Sequence, residues 1–88
     1  MKKRTRLEVI RDLLEILKEN RQVKITHLIY KSNLSNNSIK PYLKDLISNN
    51  MIEELVEKEK RLFKITKKGN EFLEEFNKIK IFSESFGL

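Results

Sequence analysis

Four stretches of this chain carry apolar residues at helical spacing, and a fifth carries the partial alternation of paired strands. Between Thr5 and Glu19, Leu7, Ile10, Leu14 and Leu17 fall on one face, Leu13 widens it, and Val9 and Ile16 add a second apolar edge. A helix so broadly apolar needs partners on more than one side. Asn20 and Arg21 end it. Val23-Lys24-Ile25 is short and β-branched, a stub strand able to pair with a later hairpin. Thr26 is placed to cap a second helix that turns Leu28 and Ile29 inward. Ser32-Asn33-Leu34-Ser35 is a turn, with Leu34 pinning the corner to the core. Ser35 caps a third helix, because its hydroxyl can accept from a free backbone N–H two or three residues on. Ile39, Leu43, Leu46 and Ile47 are the buried stripe of that helix, and Asn36, Asn37, Lys40 and Lys44 lie opposite. Pro41 removes one backbone hydrogen bond from its interior, so it either kinks the helix or delays the start to near Ser38.

Met51–Glu57 and Arg61–Thr66 have the β-branched and aromatic content of two strands. Lys58-Glu59-Lys60 joins them as a turn, placed by charge and position because it lacks Gly and Pro. Thr66 caps the last helix. Phe72, Leu73, Phe76 and Ile79 form its stripe, with Ile81, Phe82 and Phe86 beyond. Positions 72, 76, 79, 83 and 86 follow the 4-3-4-3 rhythm of a coiled-coil seam, interrupted by Ser83 and ended by Gly87. These aromatics either fold back on the first helix or form a dimer seam. The order of elements is that of a winged helix-turn-helix: α+β, mostly α, with a three-helix core, a two-stranded wing and a C-terminal helix. It makes one domain over residues 1–88, divided into a basic arm (1–6), helix-turn-helix (24–50), wing (51–66) and last helix (67–86). Such folds place their third helix in a DNA major groove.

Charge sharpens that expectation. The net charge is +6, on a chain that is 39% hydrophobic and 36% charged. Residues 1–6 carry +4 (Lys2, Lys3, Arg4, Arg6), residues 20–52 carry +4 and residues 53–68 carry +2. The first helix (7–19) and the last segment (69–88) carry −2 each. A polyanion is drawn to one part of such a molecule and repelled from the other. There is no Cys and a single His, which leaves no thiolate chemistry, disulfide or His-rich metal site. No Gly-rich phosphate loop, HExxH pattern or nucleophile-base set is present. No catalytic residue, metal ligand or cofactor is therefore expected, and the chain is not read as an enzyme. With no apolar run near the ~20 residues of a membrane span, no membrane role is expected and the location is cytoplasmic, at the nucleoid.

At the level of motifs, Thr26-His27-Leu28-Ile29-Tyr30-Lys31-Ser32-Asn33-Leu34-Ser35 followed by Tyr42-Leu43-Lys44-Asp45-Leu46 resembles the small archaeal winged-helix proteins of the ten-kilodalton Sulfolobus type. Ile65-Thr66-Lys67-Lys68-Gly69-Asn70-Glu71-Phe72-Leu73 is similar to their wing-to-helix junction. The resemblance covers nearly the whole chain. It implies DNA binding and a dimer built through the last helix. Pro41 inside the third helix and the shortness of the last helix depart from the family pattern.

Roles follow by chemistry. Lys24, Lys31, Lys40, Lys44, Lys58, Lys60 and Arg61 are candidates for phosphate contacts, each releasing a counterion on binding. Asn36, Asn37 and Ser38, beside the cap Ser35 at the positively polarised helix start, are candidates for base edges, and Asn can bond adenine N6 and N7 together. Tyr42 is read as packing and His27 as a surface residue. The arm Lys2–Arg6 is a candidate for a minor groove. Phe72, Phe76, Ile79, Phe82 and Phe86 are the dimer candidates. The expected partners are double-stranded DNA and a second copy of the chain, joined through the first and last helices. The rival reading is a protein-docking module whose surface is the last helix. RNA binding is weaker, because no exposed aromatic pair is evident on the strands.

Overall fold

The computed structural model describes residues 3–88; Met1 and Lys2, the start of the expected basic arm, lie outside the described residues. The elements run α1 (Arg6–Glu19), β1 (Val23–Lys24), α2 (Ile25–Ser32), α3 (Asn36–Ser48), β2 (Ile52–Glu57), β3 (Lys60–Ile65) and α4 (Lys67–Ser85). β1, β3 and β2 form an antiparallel sheet in that order. This is the winged helix-turn-helix, with the stub strand paired to the hairpin through Val23 opposite Phe63 and Lys24 opposite Leu62.

One core holds the layers together. Val9, Leu13, Leu14 and Leu17 of α1 meet Val23, Leu28, Ile39, Leu43, Leu46, Ile52, Phe63 and Leu73. Each fully buried side chain of this kind contributes about 1.5–3 kcal/mol. The expected stripe of α1 is right in direction but not in extent. Leu7 shares the face of Leu14 yet sits in the first turn, past the edge of the packed layer, and is 54% exposed. Val9, expected on a secondary edge, is buried instead.

Helix ends follow local chemistry. Thr5 and Glu8 form a reciprocal capping box on α1: the Glu8 N–H donates to Thr5 Oγ1 at 3.2 Å, and the Thr5 N–H donates to Glu8 Oε1 at 3.1 Å. α2 corrects the sequence expectation. It begins at Ile25, with Lys24 in the cap position and no side-chain cap bond, so Thr26 lies inside the helix. The strand β1 runs straight into α2, which leaves no residue free to cap. α3 starts where Ser35 predicts: the Ser38 N–H donates to Ser35 Oγ at 3.0 Å and the Ile39 N–H to the Ser35 carbonyl at 3.0 Å. Pro41 therefore sits inside a helix whose start is not delayed. It deletes the bond that residue 41 would give the Asn37 carbonyl, on the exposed side of the helix. α3 closes on Asn50 at φ 59°, with Asn50 N–H to Ile47 O at 3.0 Å and Met51 N–H to Leu46 O at 2.9 Å, the Schellman arrangement.

The wing turn is tighter than expected. Lys60 belongs to β3 and pairs with Glu57, so only Lys58 and Glu59 form the turn. Both have positive φ, 50° and 64°, as a type I′ hairpin requires. Thr66 caps α4 as expected, accepting from the Gly69 N–H at 3.0 Å. Its hydroxyl donates toward the carbonyls of Asn50 and Met51 at 2.6 and 2.9 Å, tying the start of α4 to the α3–β2 corner.

Candidate nucleic-acid interface

α3 presents a mostly polar edge, interrupted by the exposed Pro41. Asn36, Asn37, Ser38, Lys40 and Lys44 are all exposed, while Ile39, Leu43 and Leu46 anchor the opposite side in the core. Ser35 and Ser38 are linked, hydroxyl to hydroxyl at 2.8 Å, so both serve the cap. Asn36 and Asn37 occupy the first turn, where unpaired N–H groups and the helix dipole give a positive potential.

A groove of about 430 Å³ runs between α3 and the wing, lined by Ile25, Lys40, Leu43, Lys44, Ile47, Ser48, Glu54 and Arg61. Lys40, Lys44 and Arg61 thus share one concavity, but Arg61 is not a free cation. Its Nε donates to Glu54 Oε1, and the guanidinium carbon sits 5.7 Å from the Phe63 ring centre. The Glu54 hydrogen bond and charge hold the Arg61 pKa above its ordinary value. Lys58 stands at the wing tip and Lys31 in the last turn of α2, both exposed.

The sheet register separates the remaining candidates. Successive strand residues point to opposite faces, and paired residues share one. Arg61, Phe63, Glu54 and Val23 therefore share the face that meets the core and α3. Lys24 and Lys60, with Leu55, Leu62 and Lys64, take the outer face. The sequence grouped Lys24 and Lys60 with Arg61; the fold does not.

Both arginines of the described arm pair with the body of the protein. Arg4 bridges two elements, with Nη1 on Asp12 Oδ2 at 2.8 Å and Nη2 donating to the Ser32 carbonyl at 2.7 Å. That second bond caps the C-terminal end of α2, where a cation is favoured. Arg6 pairs with Asp45 on α3, with its guanidinium carbon 5.6 Å from the Tyr42 ring centre. Asp45 raises the Arg6 pKa, chiefly through the hydrogen bond. Of the described arm cations only Lys3 is left outside any ion pair with described residues. These pairs join residues far apart in sequence, so no local signal announces them. Tyr42 packs against the core as expected.

The last helix divides in two. Leu73 is buried and Phe72 packs on the core, while Phe76 is half-buried with Arg11 5.6 Å from its ring centre. Beyond them Ile79, Phe82 and Phe86 are 66%, 67% and 68% exposed on one face. The Phe82 and Phe86 rings are tilted against each other, with centroids 4.8 Å apart.

Comparison with known proteins meets this geometry. A family model described as winged helix-turn-helix matches residues 3–84. The chain belongs to the winged helix-turn-helix family. Sso10a-2, a DNA-binding protein from Sulfolobus solfataricus, superposes with a TM-score of 0.75 at 26% identity, over 96% of this chain and 90% of that one. The match bears out the resemblance to small archaeal winged-helix proteins. The reduced form of the transcriptional regulator YodB from B. subtilis superposes with a TM-score of 0.75 at 19% identity, over 84% of this chain and 76% of its own. F93 from STIV, a winged-helix DNA-binding protein, gives 0.71 at 17% identity, over 92% of each chain. These last two share the winged-helix fold. An uncharacterized protein of Methanocaldococcus jannaschii is 39% identical over 67 residues, 76% of this chain; the chain spans 64% of that relative's length. Among the described residues of this winged helix, no helix is long and apolar enough to cross a membrane.

Proposed function

We propose that this winged helix binds double-stranded DNA, with α3 in the major groove and the wing on the backbone, as a small transcription regulator or a chromatin-type architectural protein at the nucleoid. The observation that carries the reading is the polar edge of α3: Asn36, Asn37, Lys40 and Lys44, all exposed, beside a groove shared with the wing. The likeness to Sso10a-2, itself a DNA-binding protein, supports it. Asn36 and Asn37 read base edges, and Lys31, Lys40, Lys44 and Lys58 contact phosphates. Arg61, held by Glu54, reaches a phosphate only by leaving its partner.

The active species is a homodimer joined through α1 and the distal half of α4. The exposed Ile79, Phe82 and Phe86 support this, at spacings of three and four residues, as does the adjoining hollow of about 300 Å³ lined by Glu8, Arg11, Phe76, Ile79 and Leu88 among others. If the two-fold axis sets two α3 helices on successive grooves, half-sites lie about 34 Å apart or at a multiple of it.

The test is fluorescence anisotropy of a mixed-sequence duplex with the wild type and the Lys40→Glu/Lys44→Glu variant, beside selection from genomic fragments. The variant should lower the slope of log affinity against log salt by about 2 and keep its fold. An unchanged affinity refutes the α3 interface. Enrichment of a short palindrome identifies a regulator, and tight unselective binding an architectural protein. No binding by the wild type at low salt moves the function to protein docking through α4. Sedimentation of Phe82→Glu should give the monomer mass where the wild type gives twice that.

A further inference from the structure

The outer face of the sheet carries cations turned away from the α3 groove. Lys24, Lys60 and Lys64 share that face by register. Continuous with it, a groove of about 460 Å³ is lined by Leu17, Lys18, Asn20, Arg21, Gln22, Lys64 and Ile65, with three cations and no carboxylate in its lining. None of Lys18, Arg21, Lys24, Lys60 or Lys64 forms an ion pair with a described residue, whereas Arg4, Arg6 and Arg61 all do. By the same register Glu53 and Glu57 of β2 share this outer face, opposite Lys64 and Lys60, and Glu15 and Glu19 of α1 line a hollow with Lys18. The excess of positive charge is therefore concentrated in the groove, at Lys18, Arg21 and Lys64.

We propose that this outer face is a second DNA-backbone site, so that one protomer holds two duplex segments. The inference rests on the reading of α3 as the first site. Its geometric warrant is strand alternation. Arg61 points toward α3, and Lys60 and Lys64 point away from it. A duplex lying along α3 would have to wrap around the sheet to reach Lys18, Arg21 and Lys64, on a molecule only 31 Å across its middle dimension. Wrapping one duplex that far would bend it sharply, an elastic cost that a separate straight segment does not incur. Phosphate neutralisation by lysine and arginine needs no base-specific geometry, which suits a groove lined by three cations and no carboxylate. Lys60 lies next to the wing tip and could serve a minor groove entered by the hairpin. Lys64 is five residues from Glu59, about 15 Å along the strand, and is outside that reach.

The experiment tethers one mixed-sequence duplex, saturates it with protein, and measures capture of a second, fluorescent duplex. Lys18→Gln/Arg21→Gln/Lys64→Gln should leave binding of the first duplex within about threefold and lower capture of the second at least about tenfold near 0.1 M salt. Lys18→Gln/Arg21→Gln, which leaves the sheet untouched, should show the same split to a smaller degree. Capture should persist in Phe82→Glu, because the second site lies within one protomer. Capture unchanged by the triple substitution overturns the proposal, as does capture abolished by Phe82→Glu alone, which assigns bridging to the dimer. Equal weakening of both duplexes overturns it as well, because it reveals one continuous site. If the first duplex is not bound by the wild type, the α3 reading fails and the second site falls with it; a first duplex bound without capture of a second refutes the second site alone.

Discussion

Replacing Gly69 by alanine tests whether α4 is seated as tightly as its cap geometry requires. Gly69 is buried in the first turn of α4, where the helix meets the α3–β2 corner. A Cβ there would lie 2.2 Å from the Met51 carbonyl oxygen and 2.8 Å from Ile65 Cγ1. The isoleucine carbon can rotate away, but the Met51 oxygen is backbone. It already accepts from the Thr66 N–H at 3.0 Å and from the Thr66 hydroxyl at 2.9 Å. Relief requires about 1 Å of separation between the start of α4 and the corner, which lengthens both bonds. Overpacking costs about 1–3 kcal/mol, and each weakened hydrogen bond about 1 kcal/mol more. Alanine recovers about 1 kcal/mol as the better helix former. The net expectation is destabilisation by about 2–4 kcal/mol, a large share of the roughly 5–10 kcal/mol available to a chain of this size. In thermal unfolding that corresponds to a fall in Tm on the order of 10–30 °C. Urea unfolding followed by circular dichroism would give the same loss at fixed temperature. A variant as stable as the wild type, or more so, would mean that helix propensity wins and that α4 is not clamped against Met51.

Three further changes probe the local chemistry. Pro41→Ala should raise stability by about 1–3 kcal/mol, and with it the urea midpoint, because residue 41 regains a donor inside α3; a lower midpoint would show that the helix is built around the proline. Lys58→Asn/Glu59→Gly should stabilise the wing by about 1–2 kcal/mol, since both positions hold positive φ; loss of stability would contradict the two-residue turn. The Glu8 carboxylate is held below its ordinary pKa, first by the Thr5 backbone N–H and then by the Thr5 side chain. A depressed carboxylate contributes stability above its unfolded pKa and loses it as pH falls through the folded value. The difference between wild type and Glu8→Ala should therefore be full near neutral pH and shrink below about pH 4; a difference independent of pH would refute the charged capping box.

The fold was legible because each helix carries its period and most carry their own start signal. Ser35 and Thr66 cap where expected, and Val23-Lys24 pairs with the hairpin. The Thr5–Glu8 box was equally readable as a local pattern, since a Thr followed three residues later by Glu is its sequence form. Thr26 misled because a good cap residue also lay one step inside a helix that β1 feeds directly. Leu7 misled because period reports a face, not how far the packed layer extends along it. The candidate site was harder. Lys40 and Lys44 follow from helix period alone, but Arg4, Arg6 and Arg61 are committed to acids or carbonyls that only the tertiary fold brings near. The split of Lys60 from Arg61 turned on whether Lys60 belonged to the turn or the strand, since strand neighbours point to opposite faces, and the side of Lys24 turned on its pairing with Leu62.

The most direct test of the account is the salt dependence of wild-type binding to a mixed-sequence duplex. With Lys31, Lys40, Lys44 and Lys58 on phosphates, log affinity should fall against log salt with a slope near −3.6 or steeper. Absence of binding at low salt, or binding indifferent to salt, would contradict the assignment of the α3 face to DNA.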